Sequence, residues 1–175
     1  SMFKVEIGNP TNETIIFLHG GGLDHTQWKE VMHHLAERFH CVALDLPMHG
    51  RSVHIPLTMD EVVGRLGELF AQYGQVNVVG LSLGGAITLT ALHRFPQYIK
   101  SAVISGTTVS LRVADEKENN VVKRAQAEIC TYVEHSEAAI VPKVGHVWSY
   151  ENPVLFAQVI EQWCTDQTMH YVLNN

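Results

Sequence analysis

The sequence predicts an α/β domain in which a doubly wound, mostly parallel sheet is flanked by helices. Three observations carry that prediction. The short apolar runs are continuous and do not alternate with polar residues, the pattern of strands covered on both faces. Segments of helical period separate those runs one by one, and strand–helix repetition is the signature of parallel layering. A chain of 175 residues, 46% hydrophobic and 17% charged, has the size and composition of one globular domain with a real core.

Taken in order, the first apolar run is TIIFL at 14–18. It is followed by Trp28, Met32, Leu35 and Phe39, spaced by three and four as on one face of a helix. A second strand reads CVALDL at 41–46. The next helix carries Val62, Leu66, Leu69 and Phe70, with Thr58 and Glu61 as a capping box and Gly74 as its stop. Residues 76–79 form the next strand and 86–95 the next helix, which Pro96 ends. Strands are expected at 101–105 and 111–114, a helix near 121–134, and a strand near 138–141. The last helix opens at Asn152-Pro153, a cap followed by a first-turn proline, and presents Leu155, Val159, Ile160 and Trp163. No repeat, linker or low-complexity segment interrupts the pattern.

The totals also exclude function classes. A formal net charge of −6 without a basic block argues against nucleic acid as a partner. No apolar run approaches the ~18 residues of a membrane span, and no signal-peptide pattern opens the chain, where Ser1 reads as an addition ahead of Met2. Cys41, Cys130 and Cys164 are odd in number and widely spaced, which reads as reduced core thiols in a cytoplasmic protein. Neither His-Glu-x-x-His nor Cys-x-x-Cys spacing occurs, so no metal is expected.

One stretch points to chemistry. Residues 78–86 read VVGLSLGGA, a β-branched run, then Gly-x-Ser-x-Gly, then helix-compatible residues. With glycine near ~7% of residues, that pattern alone arises by chance in roughly one chain of this length in twenty. Its setting between a strand and a helix is the one a nucleophile elbow requires, where a strained turn lifts the serine above the sheet edge. Ser82 is therefore the candidate nucleophile. A serine hydroxyl needs a base, and of the eleven histidines His146 stands apart: it follows a strand and Gly145, and precedes a capped helix. That places it on a loop at the sheet edge where open α/β sheets bind ligands. Histidines 33, 34, 40, 54, 93, 135 and 170 are expected on helix surfaces or loops. In His19-Gly20-Gly21-Gly22 the glycines matter most, because an exposed backbone there can aim N–H groups at a developing oxyanion alongside the N–H of Leu83.

With these residues in place the chain resembles the α/β-hydrolase family. The matching pieces are FLHGGGLDHTQW (17–28), ALDLPMHGRS (43–52), VVGLSLGGA (78–86) and VGHVWSYENP (144–153), in the family's order and spread over most of the chain. The resemblance implies Ser82 as nucleophile, His146 as general base, and Gly21 with Leu83 as backbone oxyanion donors. The family's chain order of serine, acid, histidine and its usual Gly-x-x-acid turn place the acid at Glu118, with Asp115 as the alternative. A serine elbow sets the chain apart from the family's dehalogenases and epoxide hydrolases, which use aspartate. Met48 departs from the pattern, since the family usually has glycine before His49-Gly50. The short N-terminus, a second departure, leaves room for about one strand before Thr14.

A third departure concerns the segment after the fifth strand. Parallel neighbours at 101–105 and 111–114 need a crossover of a dozen or more residues, yet only 106–110 separate them. The family carries a helical cap at that position, over the active site. Either 101–114 form one long bent strand, or a segment has been lost; the cap is expected to be deleted or missing, leaving one core domain over residues 1–175. The implied activity is cleavage of a carboxylic ester or thioester of a small to medium acyl compound through an acyl-enzyme, without a cofactor. Gly22, Leu23, Leu81 and Val147 are the expected substrate-binding residues. Enol-lactone or carbon–carbon bond hydrolysis, acyl transfer, and non-catalytic ligand binding are the alternatives on the same scaffold.

Overall fold

Apolar runs that read as doubly covered strands do form one sheet. The computed structural model describes residues 1–105, 129–133, 140–141 and 153–166. Its strands are β1 (Lys4–Ile7), β2 (Thr14–Leu18), β3 (His40–Leu44), β4 (Val76–Leu81), β5 (Ile99–Ser105), β6 (Ile129–Val133) and β7 (Ile140–Val141). They lie in the order β1-β3-β2-β4-β5-β6-β7. The pairs β2–β3, β2–β4 and β4–β5 are parallel, and β1–β3, β5–β6 and β6–β7 are antiparallel. The helices are α1 (Lys29–Leu35), α2 (Met59–Tyr73), α3 (Leu83–Arg94) and α4 (Pro153–Asp166).

Alternate residues of each central strand enter opposite layers, which makes the sheet doubly wound. Ile16 and Leu18 of β2, Val42 and Leu44 of β3, and Val76 and Val78 of β4 pack with apolar residues of α2 and α3. Ile15, Phe17, Cys41, Ala43, Val79 and Leu81 pack with α1 and α4. On that second face Trp28 sits between Phe17 and Phe156, with ring centroids 5.3 and 5.9 Å away. All three rings are fully buried, so α4 is fastened to α1 by aromatic area worth several kcal/mol, roughly 2–3 per ring. The thiols of Cys41 and Cys164 are free and buried here. Burial pushes both up to about 12, so they stay neutral and inert.

Local signals set the element ends. Thr58 Oγ1 accepts from the Glu61 amide at 3.2 Å and caps α2, and Gly74 ends it at φ 79°. β1 occupies the single strand's worth of chain before β2. Two expectations are corrected. Residues 129–133, placed by periodicity inside a helix over 121–134, form β6 and pair antiparallel with β5. The outer neighbour of β5 is therefore β6 and not a parallel strand at 111–114. Residues 106–110 and 111–114 themselves lie outside the described residues. No helix among the described residues is long and apolar enough to cross a membrane.

The order of connections positions the site. α1 carries the chain from β2 to β3 on one face, and α2 then carries it past β2 to β4 on the other. The chain thus winds in opposite senses from β2 and β4. The crevice at their carboxyl ends is where ligands of open α/β sheets bind.

Candidate active site

β4 ends at Leu81 and α3 begins at Leu83, so Ser82 alone makes the turn. Its φ is 53° and ψ −110°, and only it and Met48 among the described non-glycine residues have positive φ. Holding an L-residue there costs about 1–3 kcal/mol, a strain that accumulates at functional sites. The glycines on either side let the turn close. A Cβ at Gly80 would lie 2.4 Å from the Gly84 carbonyl oxygen, and one at Gly84 2.1 Å from that of Leu18. Glycine at both places thus lets α3 lie directly on β4 and on the end of β2. Ser82 is half-buried, and its carbonyl accepts the Ala86 amide at 3.0 Å as the helix starts. The Leu83 amide belongs to the first turn, whose N–H groups have no intrahelical acceptor and carry the positive end of the helix dipole.

Register brings a second loop to the elbow, because Leu18 of β2 pairs with Gly80 of β4. The loop's amides are mostly spoken for. Gly20 donates to Gln27 Oε1 at 3.0 Å, Gly22 to His49 Nε2 at 2.9 Å, and Leu23 to the Gly20 carbonyl at 3.1 Å. The Gly21 amide makes no such bond among the described residues, and Gly21 is exposed. A Cβ there would touch the Leu83 side chain at 4.0 Å. Gly21 and Leu83, the expected oxyanion donors, are therefore neighbours.

Two groups hold this loop against the one after β3. His19 is fully buried. Its Nε2 accepts from the Leu46 amide at 2.9 Å, so the proton sits on Nδ1, which donates to the Gly20 carbonyl at 2.7 Å. Burial keeps the imidazole below its ordinary value, helped by His49 and opposed by the Gly20 carbonyl and the Asp45 and Asp24 carboxylates. Asp45, also fully buried, accepts from the amides of His25 (2.8 Å) and Arg51 (2.9 Å) and from His25 Nδ1 (2.7 Å). Burial alone would raise its carboxyl, but these hydrogen bonds win and lower it. Ligand atoms of Asp24, His25 and Asp45 lie within 4.8 Å of one another. With its oxygens taken by three donors, Asp45 acts there as a hydrogen-bond hub joining the loops.

A pocket of about 490 Å³ opens beside the loops, lined by Gly22, Leu23, Asp24, Thr26, Met48, His49 and Gly50. Gly22 and Leu23 were expected to contact substrate; Leu81, by contrast, is 1% exposed and belongs to the core layer under α1 and α4. Ser82 is not among the lining residues of this pocket, which adjoins the 20–22 loop. His146, Glu118, Asp115 and Val147 lie outside the described residues. His40, expected on a surface, is instead buried at the start of β3 with Nδ1 3.0 Å from Thr14 Oγ1. His49 and Asp45 were not singled out; the signal for both was their place within ALDLPMHGRS.

The alpha/beta hydrolase fold profile matches residues 13–129. The chain is 38% identical over 106 residues to an AB hydrolase superfamily protein of Gibberella zeae, covering 58% of this chain and 38% of that protein. It is 32% identical over 113 residues to a 2-succinyl-6-hydroxy-2,4-cyclohexadiene-1-carboxylate synthase of Escherichia coli, covering 63% and 44%. The chain thus spans less than half the length of these two curated relatives. A serine hydrolase from the polyaromatic hydrocarbon-degrading bacterium Cycloclasticus zankles is structurally similar, with TM-score 0.58, 30% identity, and coverage of 66% of this chain and 45% of that one. Naproxen esterase from Bacillus subtilis is another such structure, with TM-score 0.53, 25% identity, and coverage of 58% and 37%.

Proposed function

Because the chain belongs to the alpha/beta hydrolase fold family, we propose that it is a serine hydrolase cleaving a carboxylic ester or thioester of a small to medium acyl compound. The observation that carries this reading is Ser82 held at φ 53° between β4 and α3, beside the open amide of Gly21. Ser82 Oγ attacks the acyl carbonyl while His146 takes its proton and returns it to the leaving group. The acid, Glu118 or Asp115, orients His146. The carbonyl oxygen becomes an oxyanion within reach of the Gly21 and Leu83 amides, whose preorganised dipoles stabilise the tetrahedral intermediate. Water then frees the acyl-enzyme, so the cycle needs no cofactor. The exposed thioether chain of Met48 on the pocket wall offers apolar contact for an acyl chain.

A second reading has its own support, the likeness to a protein named as a synthase. It is enol-lactone or carbon–carbon bond hydrolysis, or transfer of the acyl group to an acceptor other than water, on the same site.

A fluorophosphonate probe tests the nucleophile. One adduct on Ser82 of the folded protein is expected, lost in Ser82→Ala, whose ester turnover falls by about 10⁴-fold or more. Absence of the adduct would sink the enzymatic reading. Esters of p-nitrophenol and coenzyme A with graded acyl lengths then define the substrate class. If Ser82 is labelled but none of these esters turns over, the second reading takes precedence.

A further inference from the structure

The loops after β2 and β3 are laced by two imidazoles that work in opposite directions. His19, on the first loop, accepts the Leu46 amide of the second at 2.9 Å. His49, on the second loop, accepts the Gly22 amide of the first, also at 2.9 Å. Each ring fixes its tautomer on a nearby carbonyl, His19 Nδ1 on Gly20 at 2.7 Å and His49 Nδ1 on Pro47 at 2.9 Å. A backbone N–H can only donate, so both Nε2 atoms are bare acceptors. The ring centroids lie 5.0 Å apart, with the planes tilted at 59° to each other.

We propose that His49 is a positioning residue for the oxyanion hole: by accepting the Gly22 amide it latches the 20–22 loop and so aims the adjacent Gly21 amide. This inference rests on the reading of Gly21 as an oxyanion donor. At that point the loop is held by two hydrogen bonds among the described residues, the Leu23 amide closing onto the Gly20 carbonyl at 3.1 Å and the Gly22 amide on His49. Gly22 is exposed at φ 79°, and a Cβ there would meet nothing within 4 Å, so packing does not fix its amide and the His49 bond does. The peptide that carries the Gly22 N–H also carries the Gly21 carbonyl. The Gly21 N–H lies in the preceding peptide, whose Gly20 carbonyl accepts from His19 Nδ1 at 2.7 Å and from the Leu23 amide at 3.1 Å. The His49 bond sets the peptide on the other side of the Gly21 Cα, so the two flanking peptides together orient the donor, and a donor displaced by about 1 Å loses much of its worth to a transition state. The turn that supplies His49 is itself well fixed: its amide donates to Leu46 at 3.0 Å, and Ser52 donates back to its carbonyl at 2.9 Å.

His49→Phe keeps a ring against His19 but removes the acceptor, and His49→Gln restores an acceptor at about the same reach. In amide hydrogen exchange read residue by residue, His49→Phe is expected to speed exchange at Gly22 by about 10-fold or more, and His49→Gln to bring it back toward wild type. With a short-chain p-nitrophenyl ester, His49→Phe should lower kcat by about 10–100-fold while KM stays within about twofold, again rescued by glutamine. Unchanged Gly22 exchange in His49→Phe overturns the latch. Faster exchange with unchanged kcat, or a loss that glutamine fails to rescue, overturns the positioning role. If wild-type protein takes no fluorophosphonate, the proposed function fails on its own, and the Gly22 exchange comparison still decides the latch.

Discussion

Two glycine-bearing loops meet at the same sheet edge, and they use glycine for opposite reasons. At the elbow the space is full: a Cβ at Gly80 or Gly84 would fall 2.4 or 2.1 Å from a backbone carbonyl oxygen. In the 20–22 loop the space is open: a Cβ at Gly21 would reach Leu83 only at 4.0 Å, and one at Gly22 nothing at all. The elbow is therefore shaped by sterics within α3, β4 and β2. The loop is shaped by hydrogen bonds, to Gln27 and His49 from its amides and through His19 to Leu46. Ser82 is thus presented by a rigid wall, and the amides of the 20–22 loop by a polar lattice.

The sharpest way to break that contrast is an alanine at each place. Gly84→Ala should cost about 3 kcal/mol, because the Leu18 carbonyl that its methyl would strike is pinned inside the parallel sheet. For a chain of this size that lowers Tm by about 6–12 °C. Gly22→Ala meets no atom and bears only left-handed strain, about 1–2 kcal/mol. Equal losses in thermal melts of the two variants would erase the distinction.

A pH profile sharpens it next. His19 titrates below its ordinary value when folded, chiefly because it is buried. Below about pH 6.5 the unfolded chain therefore binds a proton that the folded one refuses. The contribution of neutral His19 is fully present above that pH and is lost as pH falls toward the depressed folded value, by at most about 1.4 kcal/mol per pH unit. Denaturant midpoints between pH 7.5 and 5 should fall less steeply in His19→Gln than in wild type. Parallel profiles would mean that the loop lattice does not depend on a neutral imidazole at this position.

The same division explains what could be read from the residues alone. β2, β3, β4 and α3 were legible because burial on two faces writes itself as continuous apolar runs, and the elbow because its glycines act within five residues. β6 was not legible: its segment falls within an apparent helical period, and antiparallel addition to β5 is a long-range choice that local periodicity does not record. His40 looks polar in sequence, yet at the first position of β3 its ring is buried against Thr14 of β2. His49 holds an amide 27 residues away. No local pattern could announce that partner, whereas Ser82 announces itself through its own neighbours.

Met48 offers the smallest and most discriminating test, because it is the loop side's counterpart to Ser82. Both are L-residues held at positive φ, 66° and 53°. Ser82 has the proposed nucleophilic role to justify the strain, and Met48 carries a side chain that is 55% exposed and buries little. Relief of left-handed strain, about 1–2 kcal/mol, is partly offset by the greater freedom of glycine when unfolded, about 0.4–1 kcal/mol. Met48→Gly should therefore raise Tm by about 1–4 °C. If the thioether chain serves the pocket, the same variant should raise KM for longer p-nitrophenyl esters and leave the acetate ester unchanged. A more stable protein with weaker long-chain binding would show strain retained for a contact, as at the elbow. A more stable protein with every ester unchanged would remove Met48 from the binding surface and leave Ser82 as the strained residue with a proposed role in chemistry.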